Sequence, residues 1–131
     1  MRFVDTSFLV GLQFRRDAHH QEALALWLNR SQPLITSTHV LGETWTFLRR
    51  RMGHAAAREF ADAALLSTRL TIRHVDVALE REAWEWLGRH DERSYSFVDA
   101  TSFALMRSLR VAEAYAFDGD FAAAGFIEVR P

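Results

Sequence analysis

Short apolar strand segments alternate with stretches of helical periodicity along this 131-residue chain, and that alternation leaves few folds open. Neighbouring parallel strands need long crossover connections, which cross right-handedly and cover the sheet faces. Arg2-Phe3-Val4-Asp5 reads as a buried strand ending in an acid, and Thr6 to Gln13 follows with helical spacing through Phe8, Leu9 and Leu12. Asp17 is expected to cap a second helix whose buried stripe is Ala23, Leu24, Trp27 and Leu28, ended by Pro33. Leu34-Ile35-Thr36 is the next strand, and the hydroxyls of Ser37 and Thr38 suit the start of a helix running to about Met52. Gly53 breaks it, and His54 to Ser67, with Phe60, Ala64 and Leu65 on one face, makes an antiparallel partner.

The second half repeats the pattern. Leu70-Thr71-Ile72 is a third strand, Asp76 caps a helix through Leu79, Ala83, Trp86 and Leu87, and His90 to Tyr95 is a polar loop. A helix begins near Phe97, Ala112 to Phe117 is a strand, Asp118-Gly119 turns, and Ile127 to Val129 is an edge strand. The expected class is α/β, one domain over residues 1–131 with a mainly parallel sheet. In such sheets ligands gather at the carboxyl ends of the strands, where Asp5 and Asp118 stand.

Composition narrows the chemistry. The chain has no cysteine, which excludes disulfides, thiolate metal sites and cysteine nucleophiles and fits a reducing, cytoplasmic setting. No apolar run approaches the roughly 20 residues of a membrane helix. The net charge is −1 and all 16 basic residues are arginine, so nucleic acid would have to be held by a local arrangement of charge.

Four acids share a pattern. Asp5 and Asp118 follow strands, and either could simply cap the helix or turn after it. Glu43 lies in a helix with Val40 and Phe47 three before and four after it, which places an acid on a partly buried stripe. Asp99 completes a capping box with Ser96, yet shares a face with Phe103 and Met106 that points inward. Carboxylates gathered in one cleft repel each other and raise their own pKa values, a conflict that a divalent cation resolves. Hard ions such as Mg²⁺ and Mn²⁺ take oxygen ligands and can activate water for an in-line displacement at phosphorus. Asp120, two residues beyond Asp118, ranks after the four as a further ligand.

Phe3-Val4-Asp5-Thr6-Ser7, Glu43, Ser96-Phe97-Val98-Asp99-Ala100 and Phe117-Asp118-Gly119-Asp120-Phe121, in this order and spacing, resemble the PIN-domain nucleases and within them the VapC-like toxins. The resemblance spans nearly the whole chain. It implies a Rossmann-like α/β/α domain that binds Mg²⁺ or Mn²⁺ through Asp5, Glu43, Asp99 and Asp118 and cleaves RNA. It also implies a homodimer neutralised by a cognate antitoxin. The chain departs from the family where threonine is common two residues before the last acid, because Ala116 stands there. A PIN-like module that binds RNA or a protein partner without cleaving is the alternative.

Arg49, Arg50 and Arg51 are candidate phosphate contacts or a solvated helix end, with Arg15, Arg16 and Arg93 as further cations. His19 and His20 read as structural or surface residues, since no matching metal ligands accompany them. Trp27, Trp45, Trp84 and Trp86 could stack RNA bases but are spaced among leucines like core or interface residues.

Overall fold

The computed structural model describes residues 1–131. The elements run β1 (Arg2–Val4), α1 (Thr6–Gln13), α2 (His20–Leu28), β2 (Leu34–Ser37), α3 (Thr38–Met52), α4 (His54–Leu66), β3 (Leu70–Arg73), α5 (Val77–Arg89), α6 (Phe97–Leu109), β4 (Glu113–Tyr115), α7 (Asp120–Ala123) and β5 (Ile127–Glu128). All pairings in the five-stranded sheet are parallel, and the strand order is β3-β2-β1-β4-β5. The chain steps from β1 through β2 to β3 in one direction, then returns to β4 and β5 on the other side of β1. Right-handed crossovers therefore put α1 to α4 on one face and α5 to α7 on the other. This reversal makes β1 and β4 the switch point of the sheet, the place where α/β folds open a crevice for ligands.

Local chemistry fixes the elements that carry the acids. Phe3 and Val4 are fully buried, so β1 forms the centre of the core and delivers Asp5 at its carboxyl end. Ser37 accepts from the Val40 N–H at 3.1 Å and starts α3, while Ser96 and Asp99 form the reciprocal capping box of α6. Gly53 has φ +95°, a conformation that favours glycine and turns α3 back into α4.

Several expectations need correction. Asp17 does not start α2; its Oδ1 accepts from the His19 N–H at 2.8 Å, and the helix begins at His20. The buried stripe of α2 is Ala23 and Leu26, whereas Leu24 and Leu28 are exposed. Leu65 is exposed as well. The packing register, fixed by α1 against α2, decides between two stripes of similar apolarity. Strand β4 is shorter than its apolar run, ending at Tyr115. Of the tryptophans only Trp86 is buried, packed against Tyr95 and Phe103. Trp84 is exposed and stacks on Phe97.

Candidate active site

Asp5, Glu43, Asp99 and Asp118 line one cleft of about 360 Å³ at the carboxyl ends of β1 and β4. Asp5 comes from the end of β1, Glu43 from the second turn of α3, Asp99 from the first turn of α6 and Asp118 from the turn after β4. All four acids singled out in the sequence line this cleft, although they lie far apart along the chain; Asp5 and Glu43 stand outside the closer group that Asp99 and Asp118 form with Asp120.

Asp5 is the most constrained. Its Oδ2 accepts from the Ser7 N–H at 3.1 Å and from the Ser7 hydroxyl at 2.7 Å. Its Oδ1 is buried with no partner at all. Burial pushes the carboxyl up to about 7, the charges of Asp118 and Asp99 add to the rise, and the two Ser7 bonds oppose it. A buried carboxylate oxygen without a hydrogen bond is costly, and a cation removes the cost. The Thr6 hydroxyl, on the same cleft wall, is also buried and unpartnered.

Asp99 spends Oδ2 on the capping box, accepting from the Ser96 N–H at 2.9 Å. Burial raises its pKa to about 6, with Asp118 and Asp120 contributing repulsion against the backbone bond from Ser96. Asp118 sits at the mouth of the cleft, and its pKa is raised in the same direction, by burial first. One carboxylate oxygen each of Asp99, Asp118 and Asp120 lie within 4.8 Å of one another, a spacing fit for a shared ion. The donor set is all oxygen, which matches a hard divalent cation.

Asp120 has a second engagement. Its Oδ1 accepts from the Arg93 Nε at 2.9 Å, and Arg93 also donates to the Asp118 carbonyl at 3.2 Å. Arg93 therefore clamps the turn from the 90–95 loop. Gly119 has φ +82°, and a Cβ there would come within 3.3 Å of the Arg93 guanidinium. Both the backbone conformation and the clamp call for glycine.

Asp17 reads from the sequence as a helix cap, His19 as a structural or surface residue and Phe117 as part of the last motif, while Glu128 and Arg130 carry no sequence signal for the site. Asp17, His19 and Phe117 line the cleft beside the acids. Glu128, on β5, accepts from the Gly119 N–H at 3.3 Å and the Ala122 N–H at 3.0 Å, and so fixes the turn that carries Asp118. Arg130 pairs with Glu128 at 3.2 Å and donates to the Ala116 carbonyl at 2.8 Å. Ala116 itself is fully buried. The hydroxyl in this part of the site belongs to Ser7, which accepts from the Phe117 N–H at 3.0 Å and ties the ends of β1 and β4 together. Of the arginine run, Arg51 lies over Phe14 and Phe47, the latter a cleft residue.

Residues 2–127 match the PIN domain family. The chain belongs to the PIN domain family. It is 60% identical over 131 residues to the 23S rRNA-specific endonuclease VapC20 of two strains of Mycobacterium tuberculosis, covering 100% of this chain and 99% of the relative. A crystal structure of M. tuberculosis VapC20, described as a sarcin–ricin loop cleaving toxin, superposes with a TM-score of 0.96 at 59% identity and full coverage of both chains. The α/β/α fold and the resemblance to VapC-like toxins read from the sequence both stand. The acids of this PIN domain are held by a second layer, and Glu128→Gln tests it. Loss of one carboxylate oxygen from the turn is expected to weaken RNA cleavage by roughly 10- to 100-fold, measured in a single-turnover assay with unfolding temperature as the control.

Proposed function

We propose that Asp5, Glu43, Asp99 and Asp118 hold Mg²⁺ or Mn²⁺, with Asp120 as an outer ligand, and that residues 1–131 act as one PIN domain cutting 23S rRNA at its sarcin–ricin loop. The chain is an endoribonuclease of the toxin class, and the metal, the roles of single residues and the target are our reading. The observation that carries it is the buried, unpartnered Oδ1 of Asp5 in a cleft also lined by Glu43, Asp99 and Asp118. A divalent ion held by these acids would supply Lewis acidity, lowering the pKa of a water and offsetting charge on the phosphoryl group.

The protein's own part is positional. Ser7 fixes Asp5 and, through Phe117, the strand that leads to Asp118. The capping box fixes Asp99, and Glu128 with Arg93 fixes the Asp118 turn. The chain has no lysine, so its acidic side chains are the groups placed to orient an attacking water. Arg93 and Arg51, at the edges of the cleft, are suited to RNA phosphates.

A homodimer and a neutralising antitoxin are part of the proposal. Exposed Leu65, Leu66, Val77 and Trp84 and the apolar cleft of about 300 Å³ lined by Leu9, Leu24, Trp27 and Phe60 support partner surfaces. No helix is long and apolar enough to cross a membrane, in keeping with a cytoplasmic setting. Incubating the purified chain with intact ribosomes in Mn²⁺, Mg²⁺ or EDTA and mapping new 23S rRNA ends by primer extension tests the target. One metal-dependent cut within the sarcin–ricin loop is expected; cuts elsewhere, or none, would contradict it.

A further inference from the structure

We propose that His19, lying flat on Phe117, is a stacking platform for an unpaired nucleobase next to the scissile phosphate. This inference rests on the endoribonuclease reading and names the part of the RNA that the cleft grips.

His19 and Phe117 line the same cleft as the four acids. Their ring centroids are 4.5 Å apart and their planes differ by 4°. Phe117 is 8% exposed, while 41% of the His19 side chain is exposed. The imidazole therefore roofs the phenyl ring and leaves its own outer surface open. Its position is fixed at three points: its backbone N–H donates to Asp17 Oδ1 at 2.8 Å, its Nδ1 meets Glu22 Oε1 at 3.1 Å, and its ring rests on Phe117. Phe117 is held in turn by Ser7 at 3.0 Å and by the Arg130 guanidinium 4.9 Å from its centroid.

None of these contacts uses the outer face of the imidazole. Nor does the helix need a histidine there, because the position 19 side chain makes no capping bond to α2. An aromatic surface fixed beforehand loses little freedom when a base lands on it. Stacking also works with any base, provided the base is free of its neighbours on that side. A base inside a duplex is covered on both faces, so the platform selects nucleotides in loops. Ser7 holds both Asp5 and Phe117, which keeps platform and acids in one rigid frame. None of the four tryptophans lines this cleft.

The test is fluorescence anisotropy of a fluorescein-labelled sarcin–ricin hairpin RNA in Ca²⁺ with the full chain, His19→Ala and His19→Tyr. A second series uses hairpins carrying one abasic nucleotide at each loop position. Loss of one stacked base is worth roughly 5- to 150-fold in affinity. His19→Ala should weaken binding by a factor in that range, and His19→Tyr should restore it. One abasic position should weaken the wild-type chain by a similar factor while leaving His19→Ala binding unchanged, because both remove the same contact. Losses that add at every position, or a His19→Ala chain that binds as tightly as wild type with an unchanged unfolding temperature, would overturn the platform alone. Failure of the wild-type chain to bind the hairpin at all would overturn it together with the RNA reading.

Discussion

Asp5→Asn and Asp99→Asn are each expected to lower RNA cleavage at least about a hundredfold, with the fold intact. Both changes keep the shape of the side chain and an oxygen that can accept the existing bonds from Ser7 and Ser96. What they remove is negative charge in the cleft. The capping box of α6 needs only an acceptor at Asp99, so circular dichroism and unfolding temperature should report a native protein. A single-turnover assay on the hairpin reads the rate. Retention of more than half the wild-type rate in either folded variant would show that the acid is structural, as its capping or turn geometry alone would allow.

The second large effect is on stability. In the metal-free protein burial holds the Asp5 carboxyl up at about 7, well above the ordinary aspartate range, so the folded state keeps a proton that the unfolded chain releases. Below pH 4 both states are protonated and burial of the neutral acid is tolerated. As pH rises from about 4 to 7 the unfolded state loses its proton first and stability falls. Once Asp5 is ionised the loss is on the order of 4 kcal/mol. Asp99, raised to about 6, adds to the same fall over a lower part of the window. Chemical denaturation in EDTA across this range should therefore show stability decreasing with pH, and Asp5→Asn should flatten the curve. Mn²⁺ at a hundredfold its dissociation constant should return about 2.7 kcal/mol at pH 7 to the wild type. A wild-type curve that does not fall between pH 4 and 7, or one identical to that of Asp5→Asn, would contradict the buried-charge account.

The elements were legible where one signal dominated. Phe3 and Val4 before Asp5, Ser37 before α3 and the Ser96 to Asp99 spacing each carry local physics that survives folding. In α2 two apolar stripes compete, and the fold buries Ala23 and Leu26 instead of Leu24 and Leu28. Local periodicity contains no term for that choice. The acids were legible for a similar reason, since Asp5 and Asp118 follow strands and Asp99 shares a face with fully buried Phe103 and Met106. Asp120 was ranked after the four, and its bond to Arg93 gives it a structural duty beside any ligand role.

Several partnerships of the site act over long separations. Ser7 reaches Phe117 across 110 positions, and Glu128 becomes a support for the Asp118 turn only once β5 pairs with β4. From the sequence His19 reads as a structural or surface residue, because no matching metal ligands accompany it. Its parallel contact with Phe117 exists only in the folded chain. Ala116 is fully buried, and the Ser7 hydroxyl binds the N–H of its neighbour Phe117.

The most direct test of a metal-dependent acidic centre is cleavage of the purified sarcin–ricin hairpin by the wild-type chain, freed of any partner, in Mn²⁺ and in EDTA. A discrete cut in Mn²⁺ that EDTA abolishes and that returns when Mn²⁺ is restored is expected. A hairpin left whole in Mn²⁺ by folded protein, or cut equally well in EDTA, would contradict it, and the former would favour a PIN module that binds without cleaving.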